Sequence, residues 1–195
     1  MSCEYIYGVV ILAGGKGTRM GNVDKAKLKY KDRTFISILD EELSFMFHRY
    51  ISTNDLKLAE DTNFHPVEDE ITGLGPIGGI YSVLKQTPCD ALFVLPCDMP
   101  FFSRDLIQYL IKEHKEEPVI YYVETNEGGK DREYPLCGIY TKACIPVLQE
   151  MISKNIFKMR QVMELAGGRK VEIPGEMKKE KNFININTPE DYQKL

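Results

Sequence analysis

Tyr7-Gly8-Val9-Val10-Ile11-Leu12-Ala13-Gly14-Gly15-Lys16-Gly17-Thr18-Arg19-Met20-Gly21 is the stretch that decides the fold. Its first half is a continuous apolar run without alternation. A strand buried on both faces of a parallel sheet reads this way. Its second half gathers glycines and basic residues where that strand ends, and open α/β sheets bind ligands at the carboxyl ends of their strands. Gly14, Gly15 and Gly17 would let backbone N–H groups approach phosphate oxygens closely. Arg19, and Lys25 just beyond, are cations suited to charge that develops on a transferred phosphoryl group. No G-K-[ST] closes the loop, so it is not a Walker A motif. Met20 follows Gly15-Lys16-Gly17-Thr18-Arg19, so it is not a G-x-G-x-x-G dinucleotide fingerprint either. A plain glycine-rich turn between strand and loop would look similar.

Outward from this stretch, strands alternate with helices. Phe35, Leu39, Leu43 and Phe47 recur at helical spacing and predict an amphipathic helix over 35–47. Residues 50–54 and 64–67 read as strands, and Gly75-Pro76 opens a helix running through Leu84. Ala91-Leu92-Phe93-Val94-Leu95 is the clearest buried strand, with Ser103 as the cap of the helix after it. Strands are expected over 118–123, 134–140, 170–173 and 183–186, and helices over 142–152 and 158–166. Glu124 to Glu133, polar and carrying Gly128-Gly129, reads as a flexible loop. The pattern predicts one domain over 1–195. Its class is α/β: a three-layer α/β/α sandwich with a mostly parallel, Rossmann-like sheet and a short antiparallel edge within 118–140.

Composition narrows the function. The 195 residues are 43% hydrophobic and 28% charged, with a formal net charge of −4, which argues against nucleic acid as a partner. Yet Lys16, Arg19, Lys25, Lys27, Lys29, Lys31 and Arg33 crowd one stretch, opposed by Asp24 and Asp32. A local cationic patch on an acidic chain suits a small anionic ligand. No apolar run approaches the roughly 18 residues of a membrane span. The start lacks a signal-like pattern, and five cysteines without C-x-x-C spacing suit reduced thiols in the cytoplasm. Neither a membrane partner nor a zinc site is expected.

Three acidic or amide constellations add to the loop. Asp98, in Pro96-Cys97-Asp98-Met99-Pro100, ends the most hydrophobic strand, where a carboxylate can hold Mg²⁺ against phosphate oxygens or simply cap a turn. Asp69 stands between Glu68 and Glu70, an ordinary setting for solvated charge. Asn185 and Asn187 would share one side of a strand. Thr188-Pro189 begins a helix, with Asp191 standing in for the acid of a capping box.

From Leu12 through Lys25 the chain reads L-A-G-G-x-x-x-R-M-G-x-x-D-K and resembles the opening signature of the molybdenum cofactor guanylyltransferases, members of a GT-A-like nucleotidyltransferase superfamily. Val67-Glu68-Asp69, Gly75-Pro76-Ile77-Gly78-Gly79-Ile80, Pro96-Cys97-Asp98-Met99-Pro100 and Phe183-Ile184-Asn185-Ile186-Asn187-Thr188-Pro189-Glu190-Asp191 match that family's later signatures in order. The resemblance implies that Leu12, Ala13, Gly14, Gly15 and Asn54 contact the nucleotide and that Lys25 contacts its phosphates. It implies that Asp69 contacts the guanine base or its ribose and that Asp98 is the metal ligand. Asn185 and Asn187 are then acceptor contacts or neighbours of the metal, and Arg19, Lys25 and Asp98 form the catalytic set. Gly14 leans toward guanine, since related cytidylyltransferases show L-A-A-G. The implied substrates are GTP and molybdenum-bound molybdopterin, with Mg²⁺ as cofactor and apo-molybdoenzymes or other cofactor-assembly proteins as partners. Lys16-Gly17-Thr18, Cys137 and Gly138 depart from the family pattern and bear on the acceptor. A molybdopterin cytidylyltransferase, a sugar-1-phosphate nucleotidyltransferase or a non-catalytic cofactor-delivery protein are the alternatives.

Overall fold

The computed structural model describes residues 5–14, 25–125, 129–179 and 181–195. Seven strands form one sheet in the order β5-β4-β1-β6-β8-β7-β9. They are β1 (Tyr7–Leu12), β4 (His48–Ser52), β5 (His65–Val67), β6 (Ala91–Pro96), β7 (Val119–Thr125), β8 (Asp131–Thr141) and β9 (Arg169–Glu172). All run parallel except β8, which is antiparallel to both β6 and β7. A separate two-stranded antiparallel ribbon joins β2 (Lys29–Tyr30) to β3 (Arg33–Thr34).

Helices cover both faces, as expected for strands that are apolar on each side. Val9 and Ile11 of β1, with Phe93 and Leu95 of β6, pack toward α1 (Phe35–Glu42) and α3 (Arg104–Glu113). The alternate residues Val10, Leu92 and Val94 pack toward α2 (Pro76–Gln86), α4 (Ile145–Ser153) and α5 (Met159–Leu165). The three-layer α/β/α class is therefore the observed one. The antiparallel strand lies inside the sheet, with β7 and β9 beyond it.

Several local expectations shift. The helix predicted over 35–47 stops at Glu42, where Leu43 caps it by donating its N–H to Leu39 O. Phe35, Leu39 and Leu43 keep the spacing and are buried, but Phe47 lies past the helix end and is 90% exposed. Within 124–133, residues 126–128 lie outside the described residues; on either side β7 runs to Thr125 and β8 starts at Asp131, tied by Thr125 Oγ1 donating to Asp131 Oδ1. The strand predicted at 183–186 does not form. Its backbone makes a turn and one cross-link, Ile186 N–H to Asp98 O at 2.9 Å. Ser103 holds the N-cap position of α3 without a side-chain bond, and Glu42 of α1 instead accepts from Arg104 N at 2.7 Å. The capping box at α6 (Pro189–Gln193) forms as read, with Thr188 and Asp191 bonded reciprocally.

Candidate active site

Sheet register gathers the candidate residues. Leu12 pairs laterally with Ser52 on one side and Pro96 on the other, and Ser52 pairs with Val67. The last residues of β5, β4, β1 and β6 thus form one row. Three more backbone bonds extend it: Ala13 N–H to Ser52 O at 2.9 Å, Thr53 N–H to Val67 O at 3.2 Å and Cys97 N–H to Leu12 O at 3.1 Å. Ala13-Gly14, Thr53-Asn54, Glu68-Asp69 and Cys97-Asp98 follow those ends directly, so they emerge along one rim. Register alone accomplishes this, from segments far apart in the chain.

Lys25 opens a 3-10 turn, Lys25–Lys27, whose Ala26 is buried and whose two lysines diverge. Lys25 Nζ donates to Asp98 Oδ2 at 2.8 Å and also to Asn187 Oδ1. Lys27 Nζ reaches Asp55 Oδ2 at 2.8 Å, beyond β4. The turn therefore spans the rim from β6 to β4. Asn187 is fixed from behind, its N–H donating to Asp191 Oδ2 at 3.1 Å. Lys25 and Asp98 are 19% and 14% exposed, a largely buried ion pair. Burial raises the Asp98 pKa above the usual carboxylate range, and the Lys25 ammonium opposes that rise. Among the described residues Asp98 Oδ1 is buried and accepts no hydrogen bond. A carboxylate oxygen left unpaired beside a cation-binding partner is a reasonable donor to a hard divalent ion. Among the described residues no group of three or more His, Cys, Asp or Glu could hold a metal.

At the other end of the rim, Asp69 Oδ1 accepts from Ser52 Oγ at 2.9 Å. Burial raises the Asp69 pKa, and the Ser52 hydroxyl opposes that rise. Gly79 of α2 sits against this pair: a Cβ on it would lie 2.5 Å from Ser52 Oγ and 3.1 Å from Leu12 Cδ2. The bare glycine lets the helix press onto the rim. Gly75 at the helix N-cap has φ +61° and ψ −147°, a backbone region that is essentially glycine's alone.

Of the residues singled out in the sequence, Lys25, Asp98 and Asn187 meet, and Leu12, Ala13, Gly14 and Asp69 line the same rim. Asn54 lies in a bend two residues past β4 and is exposed. Asn185 is exposed and, without a strand under it, does not share a side with Asn187. Gly15 and Arg19 lie outside the described residues. Sequence reasoning missed Ser52, whose signal was a polar residue closing an apolar strand. It also missed the reason for Gly138: a Cβ there would lie 2.6 Å from Ile120 O, beside the bulge between Tyr121 and Tyr122. Cys137 is buried behind Asp98, its thiol 3.5 Å from Met99 Sδ, and burial pushes its pKa up, which suits packing rather than nucleophilic chemistry.

Residues 9–171 match the family model described as the MobA-like NTP transferase domain. The chain belongs to this family. As a MobA-like nucleotidyltransferase it is 34% identical over 197 residues to a Clostridium perfringens protein named "Probable molybdenum cofactor guanylyltransferase", covering 95% of this chain and 93% of that one. A Halalkalibacterium halodurans protein of the same name is 29% identical over 189 residues, covering 93% of each. Among solved structures, molybdopterin-guanine dinucleotide biosynthesis protein A from Archaeoglobus fulgidus superposes with a TM-score of 0.80 at 25% identity, over 96% of this chain and 95% of that one. The 2-C-methyl-D-erythritol 4-phosphate cytidylyltransferase of Thermus thermophilus shares the fold, with a TM-score of 0.73 at 15% identity and 96% of each chain covered. Among the described residues no helix is long and apolar enough to cross a membrane.

Proposed function

We propose that this nucleotidyltransferase transfers GMP from GTP to molybdenum-bound molybdopterin, forming the guanine dinucleotide cofactor and releasing pyrophosphate. The observation that carries the reading is the meeting of Lys25 and Asp98 at 2.8 Å, on the same strand-end rim as the half-buried Asp69. Asp69 follows β5 and Asp98 follows β6, three strand steps apart, so roughly 14 Å separates their strands. That span suits a nucleotide lying across the rim, with its base at Asp69 and its phosphates over Ala13 and Gly14 toward Lys25.

In this reading a terminal phosphate oxygen of the acceptor attacks the α-phosphorus of GTP. A new P–O bond forms, the bond to the bridging oxygen breaks, and pyrophosphate leaves. The attacking phosphate is already anionic at neutral pH, so no protein base is required. The chain's contribution is orientation and charge. Lys25, and Arg19 by the family signature, neutralise negative charge on the phosphates. Asp98 would hold Mg²⁺, and the ion, when bound, would supply Lewis-acid stabilisation of phosphate oxygens. Leu12, Ala13, Gly14 and Gly15 approach the nucleotide with their backbone, and Asn54 contacts it from the β4 side. Asp69 accepts from guanine N–H groups and rejects bases lacking them. Asn187 steadies Lys25, and Asn185 is left to the acceptor. The buried free thiols of Cys89, Cys137 and Cys144 fit a reducing compartment such as the cytoplasm, where apo-molybdoenzymes would take up the product.

Purified protein with Mg²⁺, molybdenum-bound molybdopterin and labelled GTP, CTP or ATP tests this. Guanylyl incorporation with pyrophosphate release is expected for GTP, and Lys25→Ala should lower it by about 10²–10³-fold. Preferential CTP use would point to a cytidylyltransferase. Tight cofactor binding without pyrophosphate release would point to a delivery protein.

A further inference from the structure

We infer that Ser52 and Ser82 are positioning residues for nucleotide selection, holding Asp69 in the orientation from which it reads guanine; this rests on the base-reading role proposed for Asp69. Two separate anchors converge on Glu68-Asp69-Glu70. From β4, Ser52 Oγ donates to Asp69 Oδ1 at 2.9 Å. From α2, Ser82 Oγ accepts the N–H of Glu70 at 2.9 Å while donating its own proton to Gly78 O at 2.8 Å. Ser52 is 3% exposed and Ser82 fully buried, so neither hydroxyl is a solvent group that happens to lie nearby.

The directions of these bonds matter. Ser82 uses its only proton on the helix carbonyl one turn back, so its oxygen is left to receive Glu70 N–H. Ser52 gives its only proton to the carboxylate, and Gly79 closes the space on the α2 side of that hydroxyl. Lys85 Nζ meets Glu70 Oε2 at 2.7 Å, and Gln86 Nε2 donates to Glu68 O at 3.3 Å, so α2 also holds the residues on either side of Asp69. Asp69 itself has no ion-pair partner among the described residues. Its orientation therefore depends on these hydroxyls, and a carboxylate that swivels discriminates poorly between bases, because selectivity requires fixed acceptor geometry.

The test is calorimetry of GTP, ITP (which lacks the 2-amino group) and ATP with Mg²⁺ on the intact chain. It uses wild type, Ser52→Ala, Ser82→Ala, Asp69→Asn and the Ser52→Ala/Asp69→Asn double variant, with thermal unfolding alongside. Asp69→Asn should abolish the preference for GTP. Ser52→Ala should erode it on the order of tenfold, and Ser82→Ala should shift it the same way by less. The double variant should bind no worse than Asp69→Asn alone, because Ser52 acts through Asp69. A merely structural serine would lower the unfolding midpoint and leave the GTP:ITP and GTP:ATP ratios alone. Wild-type ratios in both serine variants, beside a lost preference in Asp69→Asn, overturn the inference. Should Ser52→Ala fail to fold, the ratios of Ser82→Ala decide. Retained preference in Asp69→Asn removes the base-reading role itself, and the inference falls with it by a separate result.

Discussion

Asp69 and Asp98 both sit where burial resists ionisation of the carboxyl group. For Asp69 the consequence for stability has a definite sign. Its folded pKa lies above the ordinary value of 3.8, so between those two values the folded chain binds more protons than the unfolded one. Stability is lost as pH rises through that window and stays lower above it. Asp69→Asn has no such window. In thermal unfolding without nucleotide, the variant's midpoint minus that of wild type should increase as pH rises above 3.8; a difference that decreases would contradict the raised pKa. Asp98 differs, because Lys25 compensates it. Lys25→Ala leaves a buried carboxylate without a counterion and should cost roughly 1–3 kcal/mol. Adding Asp98→Asn to that variant removes the stranded charge and should recover part of the loss, as read by denaturant unfolding.

Local geometry of the elements yields a further expectation. Gly75 begins α2 with a backbone that side chains other than hydrogen do not tolerate, so Gly75→Ala should cost about 1–3 kcal/mol in urea unfolding. The strain would also tilt a helix that presses on Ser52 through Gly79, so GTP affinity should fall with it. An alanine variant as stable as wild type would mean that the turn relaxes freely. Most elements were legible in the sequence because the signals are local and redundant: apolar runs for β1 and β6, Gly75-Pro76 for α2, Thr188-Pro189 with Asp191 for α6. The failures share a different cause. The spacing of Phe35, Leu39 and Leu43 continues to Phe47 by number, but the chain turns at Leu43 and Met46 goes into the core instead. Ser103 looks like a cap, yet Glu42 from another helix takes that bond. Ile184 and Ile186 resemble a strand without a neighbouring edge to pair with. Each miss depends on a partner supplied by a distant part of the fold, which a linear reading does not contain.

For the molecule as a whole, the site was legible as a set of types and not as an arrangement. The glycine loop, Lys25, Asp69 and Asp98 stand out by motif, whereas the sheet order that aligns β5, β4, β1 and β6 leaves no mark in any one of those segments. Asn187 shows the same limit: its residue type was noticed, but its bond to Lys25 depends on the last part of the described chain returning to the first. That return is fastened by Asp191, which accepts from both Asn187 N–H and Thr188 N–H. Asp191→Ala should cost about 1 kcal/mol and weaken GTP binding more than a surface substitution would, by loosening Asn187 against Lys25. Calorimetry beside thermal unfolding checks this, and unchanged affinity would show that Asn187 holds its orientation without the cap.

The bond between Lys25 and Asn187 joins residues 162 positions apart. During synthesis every strand of the sheet, through Glu172, leaves the ribosome before the segment that completes this contact. A growing chain can therefore assemble its layers while Lys25 still lacks the Asn187 contact. Completion of this contact would follow, not precede, synthesis of the strands that carry Asp98 and the rest of the rim.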